Sequence, residues 1–405
     1  MKSFSIFLLA SCLVFSLNAQ KDIEKAIQTQ LIMVQDGGTV ELDAGTFNMS
    51  GSLAMDGKND ITIKGKGMDK TILTWKGQKT GAEGIKITNG TNIILQDMTL
   101  QDSKGDCIKV QETDGISFVN VKVEWTGKPS KDNGAYGFYP VQCKNVLIDK
   151  CEAIGASDAG IYVGQSDQIV VRNSRAYQNV AGIEVENSTN ADVYNNIAED
   201  NTGGILVFDL PDLMKKKGGN VRVFNNKIID NNLKNFSPPG NMVAIVPPGT
   251  GVLVLATSDV EIFDNEITNN RTVGTGIVSY LYTEIPIKDE QYDPYPKRIY
   301  IHNNTYAKER KKPKLSSDIG KWLFLKFKKD VPDILYDGVP EDGSMDENER
   351  FKSGYEICVR NNENAVFLNL NGKKGLKYHT KDRSSFDCSL EALEGAKESL
   401  VKGKK

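Results

Sequence analysis

The sequence predicts an all-β fold, a parallel β-helix solenoid, with a helical cap at its N-terminal end. Three observations predict it: short strand-like segments recur about every 22 residues, glycine and asparagine separate them, and no helical pattern lies between them. Short period-2 strands at a regular interval are typical of solenoids. Each repeat would form one coil, whose inward Ile and Val side chains are buried only by stacking on neighbouring coils.

Two strand patterns alternate along the chain. The first places apolar residues at alternate positions and starts at residues 61, 93, 116, 146, 168, 191, 221, 260 and 299. The second is Gly-Ile-x-Val or a close variant, as at residues 160–163, 182–185 and 204–207. We therefore expect one strand column from each pattern, with side chains alternating between the core and the outer face.

The asparagines support stacked coils. Five of them fall five positions after first-pattern starts, and Cys151 holds the same place one coil earlier; the five are Asn173, Asn196, Asn226, Asn265 and Asn304. Stacked Asn side chains at a turn hydrogen-bond along the stack. The alternative is that asparagine only marks loops. We expect a ladder with a structural role.

The N-terminus predicts export. Residues 1–19 combine Lys2, an apolar run over residues 6–15 and the small residue Ala19, which together resemble a cleavable signal peptide. Residues 9–12 also resemble a lipobox, in which case Cys12 would carry a lipid anchor. No stretch is long and apolar enough for a transmembrane segment. We expect a periplasmic or extracellular protein.

The rest of the chain divides into two parts. Residues 20–305 are predicted to form the β-helix, with residues 22–34 at helical spacing as its cap. Residues 306–405 form a C-terminal cap or extension in which residues 354–370 look strand-like and residues 389–402 look helical. A Cys358–Cys388 disulfide is one way to close this part, although no spacing requires it.

Composition excludes several classes of protein. The chain carries 50 Lys and Arg against 53 Asp and Glu, so it has no basic footprint for nucleic acid. Its 2 histidines cannot build a three-histidine zinc site. A hydrophobic content of 39 % is enough for a long core, which argues against wholesale disorder.

The positions of the insertions predict a groove. Extra residues near 75–83, 126–135 and 233–249 precede second-pattern strands, and those at 210–219 and 281–297 follow them. Loops at both ends of one strand column would make its outer face the floor of a groove, which is where solenoids often bind. The alternative is drift in length at tolerant corners.

The outward residues of that column form the candidate site. With coils ~4.8 Å apart, Lys109, Tyr139, Tyr162 and Glu184 would form a line ~15 Å long. Lys109 would neutralise a uronate carboxylate, and a tyrosine would transfer a proton. The predicted flanking substrate-binding residues are Glu186, Asp209, Gln142 and Gln165. Glu184 and Glu186 are alternatively a glycosidase pair, and exposed strands also carry such residues without any function.

Calcium is the one metal for which the sequence offers a candidate ligand. Asp158 lies at a coil corner, in the segment that precedes a second-pattern strand. A carboxylate there could ligate Ca²⁺, although aspartate is also common in turns. Calcium is therefore the only cofactor that the sequence brings forward, and the metal ligands stay unknown.

Four stretches of the chain are more specific than the general repeat signal. They are residues 133–143, 155–166, 182–196 and 202–213, and they resemble a family of exported bacterial parallel beta-helix repeat-containing proteins. The resemblance covers residues 36–305 and implies the right-handed parallel β-helix of the pectate-lyase-like superfamily. That superfamily includes pectate lyases, alginate lyases, mannuronan epimerases and a metalloenzyme accessory protein. The Asp-Pro-His-Asp motif of the epimerases is absent from this chain.

Two functions follow as expectations. The first is binding of an acidic polysaccharide along the groove, with lytic cleavage or epimerisation as the reactions the row could catalyse. The second is a non-enzymatic periplasmic or cell-surface scaffold or accessory protein, which would have a protein partner. A shared fold does not decide between them.

Overall fold

A computed structural model describes residues 23–397. The predicted signal peptide, with Cys12, lies outside the described residues. Residues 23–33 are helical and form α1, after which the chain winds through three columns of parallel strands. No helix within residues 23–397 is both long and apolar enough to cross a membrane.

The first column holds the strands of the first sequence pattern. They are β1 (Thr39–Glu41), β4 (Thr62–Lys64), β7 (Thr91–Gln101), β9 (Asp114–Glu124), β11 (Lys144–Asp149), β14 (Asp167–Arg172), β17 (Thr189–Tyr194), β20 (Gly219–Phe224), β23 (Val260–Phe263), β26 (Ile299–His302) and β29 (Ile357–Arg360). Every neighbouring pair in this column is parallel.

A short second column follows the first around a corner of each coil. It contains the later halves of β7 and β9 together with β2 (Gly45–Asn48), β5 (Thr71–Thr74), β12 (Glu152–Ile154), β15 (Arg175–Tyr177), β18 (Ile197–Glu199), β21 (Lys227–Ile229), β24 (Glu266–Thr268) and β27 (Thr305–Ala307). The long strands β7 and β9 run through both columns, so the two columns count as one sheet.

The third column is a separate sheet and holds the Gly-Ile-x-Val pattern. Its strands are β3 (Leu53–Asp56), β6 (Ile85–Thr88), β8 (Ile108–Gln111), β10 (Tyr136–Val141), β13 (Ala159–Gly164), β16 (Ala181–Glu186), β19 (Gly203–Phe208), β22 (Thr250–Leu255), β25 (Val273–Val278), β28 (Ile334–Tyr336) and β30 (Phe367–Asn369).

The core is a stack of aliphatic side chains along the solenoid axis. In the third column Ile161 pairs with Ile183 and Ile183 with Ile205, and all three are fully buried. Fully burying an aliphatic side chain stabilises the fold by about 1.5–3 kcal/mol. The repeated sequence pattern therefore stabilises each coil through its neighbours.

Helix α1 closes the first coil, as the sequence predicts. Ile27 and Leu31 are buried against the core. The Glu24 carboxylate accepts hydrogen bonds from the backbone N–H groups of Ser50 at 2.7 Å and Gly51 at 2.9 Å. The helix thus covers the apolar end that an open solenoid would expose.

The asparagine ladder is present, with one correction. Asn196, Asn226, Asn265 and Asn304 are buried, and each backbone N–H donates to the side-chain oxygen of the next asparagine at 3.0–3.1 Å. Asn173 is not part of it, because Ile169 rather than Gln168 pairs with Ala191, which puts Ser174 in the ladder. A second ladder joins Asn179, Asn201, Asn231 and Asn270.

Sheet pairing continues beyond residue 306. β28 pairs with β25 and β29 with β26, so the C-terminal part extends both sheets. Helix α2 (Asp318–Phe327) lies between these strands and was not expected from the sequence. The division of the chain at residue 305 stays a prediction.

The last described segment, residues 389–397, crosses the outer face of the first column. Cys358 and Cys388 form a disulfide that holds its start. The predicted helix is wrong over residues 389–397, which are irregular. Two of their backbone N–H groups bond side chains of the first column instead. The Leu393 N–H donates to Glu261 Oε2 at 3.0 Å and the Lys397 N–H to Gln168 Oε1 at 2.7 Å.

Candidate functional site

The predicted row of side chains lies in register on the outer face of the third column. Lys109 on β8 pairs with Lys86 on one side and with Tyr139 on the other. One coil further on, Tyr162 on β13 pairs with Glu184 on β16. The row follows from strand alternation, since the flanking Ile108 and Val110 are fully buried in the core.

Tyr162 is held by a hydrogen bond and by a missing side chain. Its hydroxyl donates to Glu186 Oε1 at 2.8 Å. Its ring lies over Gly164, where an added Cβ would be 2.0 Å from the tyrosine oxygen. Gly164 therefore makes room for the Tyr162–Glu186 contact.

Three tyrosine rings form one aromatic cluster, including one that the sequence reasoning missed. Tyr136 lies 4.5 Å from Tyr139 and 4.6 Å from Tyr162, and these last two are 5.0 Å apart, all between ring centroids. Lys109 Nζ lies 5.0 Å from the Tyr139 ring centroid, within the range of a cation–π contact. Tyr136 lies three positions before Tyr139, and strict alternation would place Gly137 rather than Tyr136 on the outer face, so the period-2 pattern could not have found it.

Next to these tyrosines lies a buried group of carboxyls, which we call the acidic cluster: Asp158, Glu184 and Glu186. Glu184 is 1 % exposed, and its Oε2 has no hydrogen-bond partner among the described residues. Burial, together with Asp158 and Glu186, raises its pKa well above the usual range. Three carboxyls in one buried site cannot all be ionised without a large cost in free energy, so the cluster retains protons near neutral pH.

The other two members titrate near neutrality. Burial raises the pKa of Glu186 to about 7, against the lowering effect of the Tyr162 hydroxyl. Burial and the Glu186 charge raise the pKa of Asp158 to about 7, while hydrogen bonds from Asn241 and Tyr136 lower it. Groups with such pKa values are suited to proton transfer.

Asp106 is a further carboxyl that the sequence did not single out. It is half-buried at the open end of the row. Burial raises its pKa to about 6, while the Lys109 charge and the Tyr136 backbone N–H lower it. Tyr139 is also half-buried, and burial raises the pKa of its hydroxyl to about 12. At neutral pH this site thus offers an ionised carboxylate and a protonated phenol.

The predicted open groove is present only along part of the row. Lys86, Lys109 and Tyr139 are half-buried on an open face, but Tyr162 is 4 % exposed. The insertions fold onto the face rather than standing beside it, because their apolar residues pack on the sheet; these include Val243, Val246, Tyr280 and Tyr292. The groove prediction is therefore wrong for the coils of β13, β16 and β19.

Three of the four predicted flanking residues, Gln142, Gln165 and Asp209, contact the 210–219 insertion, whereas Glu186 accepts from Tyr162. Gln165 Oε1 accepts from the Met214 backbone N–H at 3.0 Å, and Gln142 Nε2 lies 2.9 Å from Met214 Sδ. Asp209 accepts from the Gly218 N–H at 2.8 Å and lines a cavity of about 260 Å³ at the coil corner. Burial raises its pKa to about 7. In this closed arrangement these groups serve internal contacts.

The described part of the chain shows no grouped metal ligands. Within residues 23–397, no three His, Cys, Asp or Glu side chains are placed to hold a metal ion. Asp158, the residue considered for Ca²⁺, has its Oδ2 bonded to Asn241 Nδ2 at 2.9 Å. The buried thiols Cys107, Cys143 and Cys151 have pKa values raised to about 12 by burial, so they are not nucleophiles.

The sequence of this region matches one known family. Residues 83–246 match the family described as right handed beta helix region. This match confirms the parallel β-helix that the repeats predict and the right hand that the family resemblance implies. No curated protein has a matching sequence.

Solved structures share the architecture at low identity. The A-module of a mannuronan C-5 epimerase from Azotobacter vinelandii is 16 % identical, with 81 % of this chain and 86 % of that one covered and a TM-score of 0.49. An exopolygalacturonase from Thermotoga maritima is 13 % identical, with 72 % and 84 % covered and a TM-score of 0.48. The surface adhesin PfbA of Streptococcus pneumoniae is 10 % identical, with 86 % and 88 % covered and a TM-score of 0.49.

Proposed function

We propose that this protein binds an acidic polysaccharide along the outer face of the third column. Protons would be removed from and donated to the sugar bound at the part of this face that holds Lys109 and Tyr139. The observation that supports this most is the in-register row of two half-buried lysines followed by a tyrosine, Lys86, Lys109 and Tyr139. Adjacent strands ~4.8 Å apart match the size of a sugar ring, so successive carboxylates can meet successive side chains.

The chemistry follows from the charges at this point of the row. Lys109 would neutralise a uronate carboxylate, which makes the adjacent C–H more acidic. The Asp106 carboxylate, with its pKa of about 6, is ionised at neutral pH and would remove that proton. Tyr139, with its pKa of about 12, keeps its proton and would donate it.

This proton transfer leads to one of two products, depending on where the second proton is donated. Donation to the leaving glycosidic oxygen, with the C–H electron pair forming a C=C bond, gives lytic cleavage. Donation back to the same carbon from the opposite face gives an epimer. Both use the same residues, and only the product distinguishes them.

Burial of the centre supports a second candidate function, a non-enzymatic scaffold or accessory protein. Tyr162, Glu184 and Glu186 are all buried. A face closed in this way binds no sugar at these coils unless it opens. Polysaccharide binding without turnover, or none at all, would favour this candidate.

The test is a panel of polymers with matched variants. The chain would be titrated with alginate, pectate, glucuronan and sulfated glycans at low salt, with and without Ca²⁺, by calorimetry and by absorbance of unsaturated products. Lys109→Ala should weaken binding about 5- to 10-fold, as expected for one charge contact. Tyr139→Phe should bind normally and lose turnover.

Lys227→Ala provides the matched control, because Lys227 is an exposed lysine on another column. It should bind like the unaltered protein. The assignment of the row fails if Lys109→Ala, Tyr139→Phe, Tyr162→Phe and Glu184→Gln all leave binding and turnover intact. Absence of binding to every polymer would remove the proposed function itself.

A further inference from the structure

One of the insertions that fold onto the row, residues 233–249, has an unusual sequence. Residues 241–246 lie between two Pro-Pro-Gly triplets, residues 238–240 and 247–249. Gly240 and Gly249 have φ values of +100° and +89°, which glycine adopts without strain. Two stiff proline pairs, each followed by a permissive glycine, make a rigid flap between two pivots.

Hydrogen bonds within the insertion hold the flap, residues 241–246, in shape. The Asn235 side-chain amide donates to the carbonyls of Val243 at 2.8 Å and Val246 at 3.1 Å. Its ends are fixed to the preceding coil, where the Leu233 N–H donates to the Asn201 carbonyl and the Gly249 N–H to the Thr202 carbonyl. The segment can therefore move as a unit while its ends stay in place.

The segment contacts the sheet through apolar side chains and one hydrogen bond. Val243 and Val246 are buried, and Phe236 and Met242 are partly buried against the same apolar cluster. Asn241 Nδ2 donates to Asp158 Oδ2 at 2.9 Å, which within residues 23–397 is the one hydrogen bond joining residues 234–246 to the rest of the chain. This bond ends on a member of the acidic cluster.

We infer that residues 233–249 form a lid over the acidic cluster, and that an acidic sugar chain reaches Tyr162 and Glu186 only when this lid lifts. The inference rests on the proposed function for its ligand. The lid itself follows from the Pro-Pro-Gly pivots, the apolar seat on the sheet, the single hydrogen bond to Asp158 and the unpartnered oxygen of Glu184 in the same acidic cluster.

Ionisation of the cluster would control the lid. Apart from Asn241, the groups that face Asp158 are Tyr136 and Tyr139 on β10, Glu184 and Glu186 on β16, and Asp106 before β8, while Tyr162 on β13 faces Glu186. These neighbours are carboxyls and phenols, so removing protons adds like charges that repel. Lifting the lid returns water to them.

The sign of the pH effect follows from the pKa values. With the lid closed, the pKa of Asp158 is raised from 3.8 and that of Glu186 from 4.5, each to about 7. The closed state thus binds more protons than the open state between about pH 4 and pH 7. Opening becomes more favourable as pH rises through this window and levels off above it.

Hydrogen exchange of the full mature chain tests the lid without any sugar. After correction for intrinsic exchange, the opening constant of residues 234–246 should rise about 10-fold or more between pH 5 and pH 7 and change little above pH 8. In the triple variant Asp158→Asn/Glu184→Gln/Glu186→Gln the rise should fall below about 3-fold, because acceptor oxygens remain but none of the three groups titrates.

Asp337→Asn is the matched control. Asp337 is a buried carboxyl whose pKa burial raises to about 7, and it bonds Ser279 rather than the lid. This variant should keep the pH response of the lid. A response that is flat in the unaltered protein, or equal in the triple variant, would overturn the inference.

A reversible lock tests whether the lid controls access. A Cβ at Gly203 would lie 3.1 Å from Val246 Cγ1, which suits Gly203→Cys/Val246→Cys as a disulfide pair. Carbodiimide labelling of Asp158 and Glu186 should fall at least about 10-fold when the pair is oxidised and recover on reduction, a loss comparable to the opening it blocks.

The unaltered protein with reductant controls for the native Cys358–Cys388 disulfide, which reduction also opens. Equal labelling of locked and reduced protein would show that the cluster is reached by another route. Because neither measurement uses a polysaccharide, the lid can be refuted while the proposed function stands, and the reverse.

Discussion

At the scale of single residues, the site depends on which polar groups are paired. Glu186 accepts from Tyr162, Asp158 accepts from Asn241, and Glu184 Oε2 has no partner among the described residues. An unpaired buried carboxyl costs folding free energy. Such a cost at a cluster with raised pKa values is typical of functional sites.

Gly164→Ala tests the placement of Tyr162. The new Cβ would lie 2.0 Å from the tyrosine oxygen, so the ring must leave Glu186 or the strand must shift. We expect the free energy of unfolding to fall by about 1–3 kcal/mol, the usual cost of overpacking. Urea denaturation would measure it.

Gly127→Ala is the control for this substitution, since an added Cβ there meets nothing within 4 Å. It should leave stability within about 0.5 kcal/mol of the unaltered protein. If both variants unfold at the same urea concentration, the ring does not depend on the space above Gly164.

At the scale of elements, the asparagine ladders join the coils at their corners. Each buried Asn uses its amide to bond the coil before it and its oxygen to receive the backbone N–H of that coil. The turns thus satisfy buried backbone groups without water. The first ladder is visible in the sequence because its members share a fixed offset from the strands. The members of the second ladder have the same spacing, so the sequence contains the same signal for it.

Asn226→Ala tests the ladder at its middle. The substitution leaves the Asn196 N–H and the Val193 carbonyl without their partners in a buried site. We expect a loss of about 2–4 kcal/mol of unfolding free energy, because unpaired buried groups cost about 1–3 kcal/mol each. Thermal and urea unfolding would both report it.

Asn348→Ala is the matched control for the same atoms at an exposed position. Its effect should stay within about 0.5 kcal/mol. Equal stability of Asn226→Ala and Asn348→Ala would mean that the ladder contributes nothing measurable.

At the scale of the whole molecule, the C-terminal segment ties distant coils together. It starts at the Cys358–Cys388 disulfide beside β29 and reaches Gln168 on β14. Along the way Leu393 bonds Glu261 on β23. A segment that contacts several coils resists separation of the stack, which nearest-neighbour contacts alone would leave to each interface.

Cys388→Ala tests this tie. The disulfide closes a loop with a sequence separation of 30, so its loss should cost roughly 3–4 kcal/mol through loop entropy. Hydrogen exchange of residues 389–397 should rise at the same time. Reductant should bring the unaltered protein to the stability of the variant and leave the variant unchanged; a variant that still loses stability with reductant would contradict the assignment.

The repeating architecture is predictable from the sequence alone. Coil length, the inward Ile and Val, the capping helix and the register of Lys109, Tyr139, Tyr162 and Glu184 all follow from local periodicity, because each coil repeats the same short-range geometry. An error of one residue at Gln168 shows the limit of pattern reading where an apolar run has two possible phases.

What covers the row depends on tertiary contacts that the sequence pattern does not contain. The insertions have no period, so their sequence locates them at coil corners but does not say whether they rise beside the face or fold onto it. Their apolar side chains fold onto it, burying Tyr162 and the acidic cluster and leaving Lys109 and Tyr139 open. The raised pKa values, the bond from Asn241 and the path of residues 389–397 follow from contacts between residues far apart in the chain, which no local pattern contains.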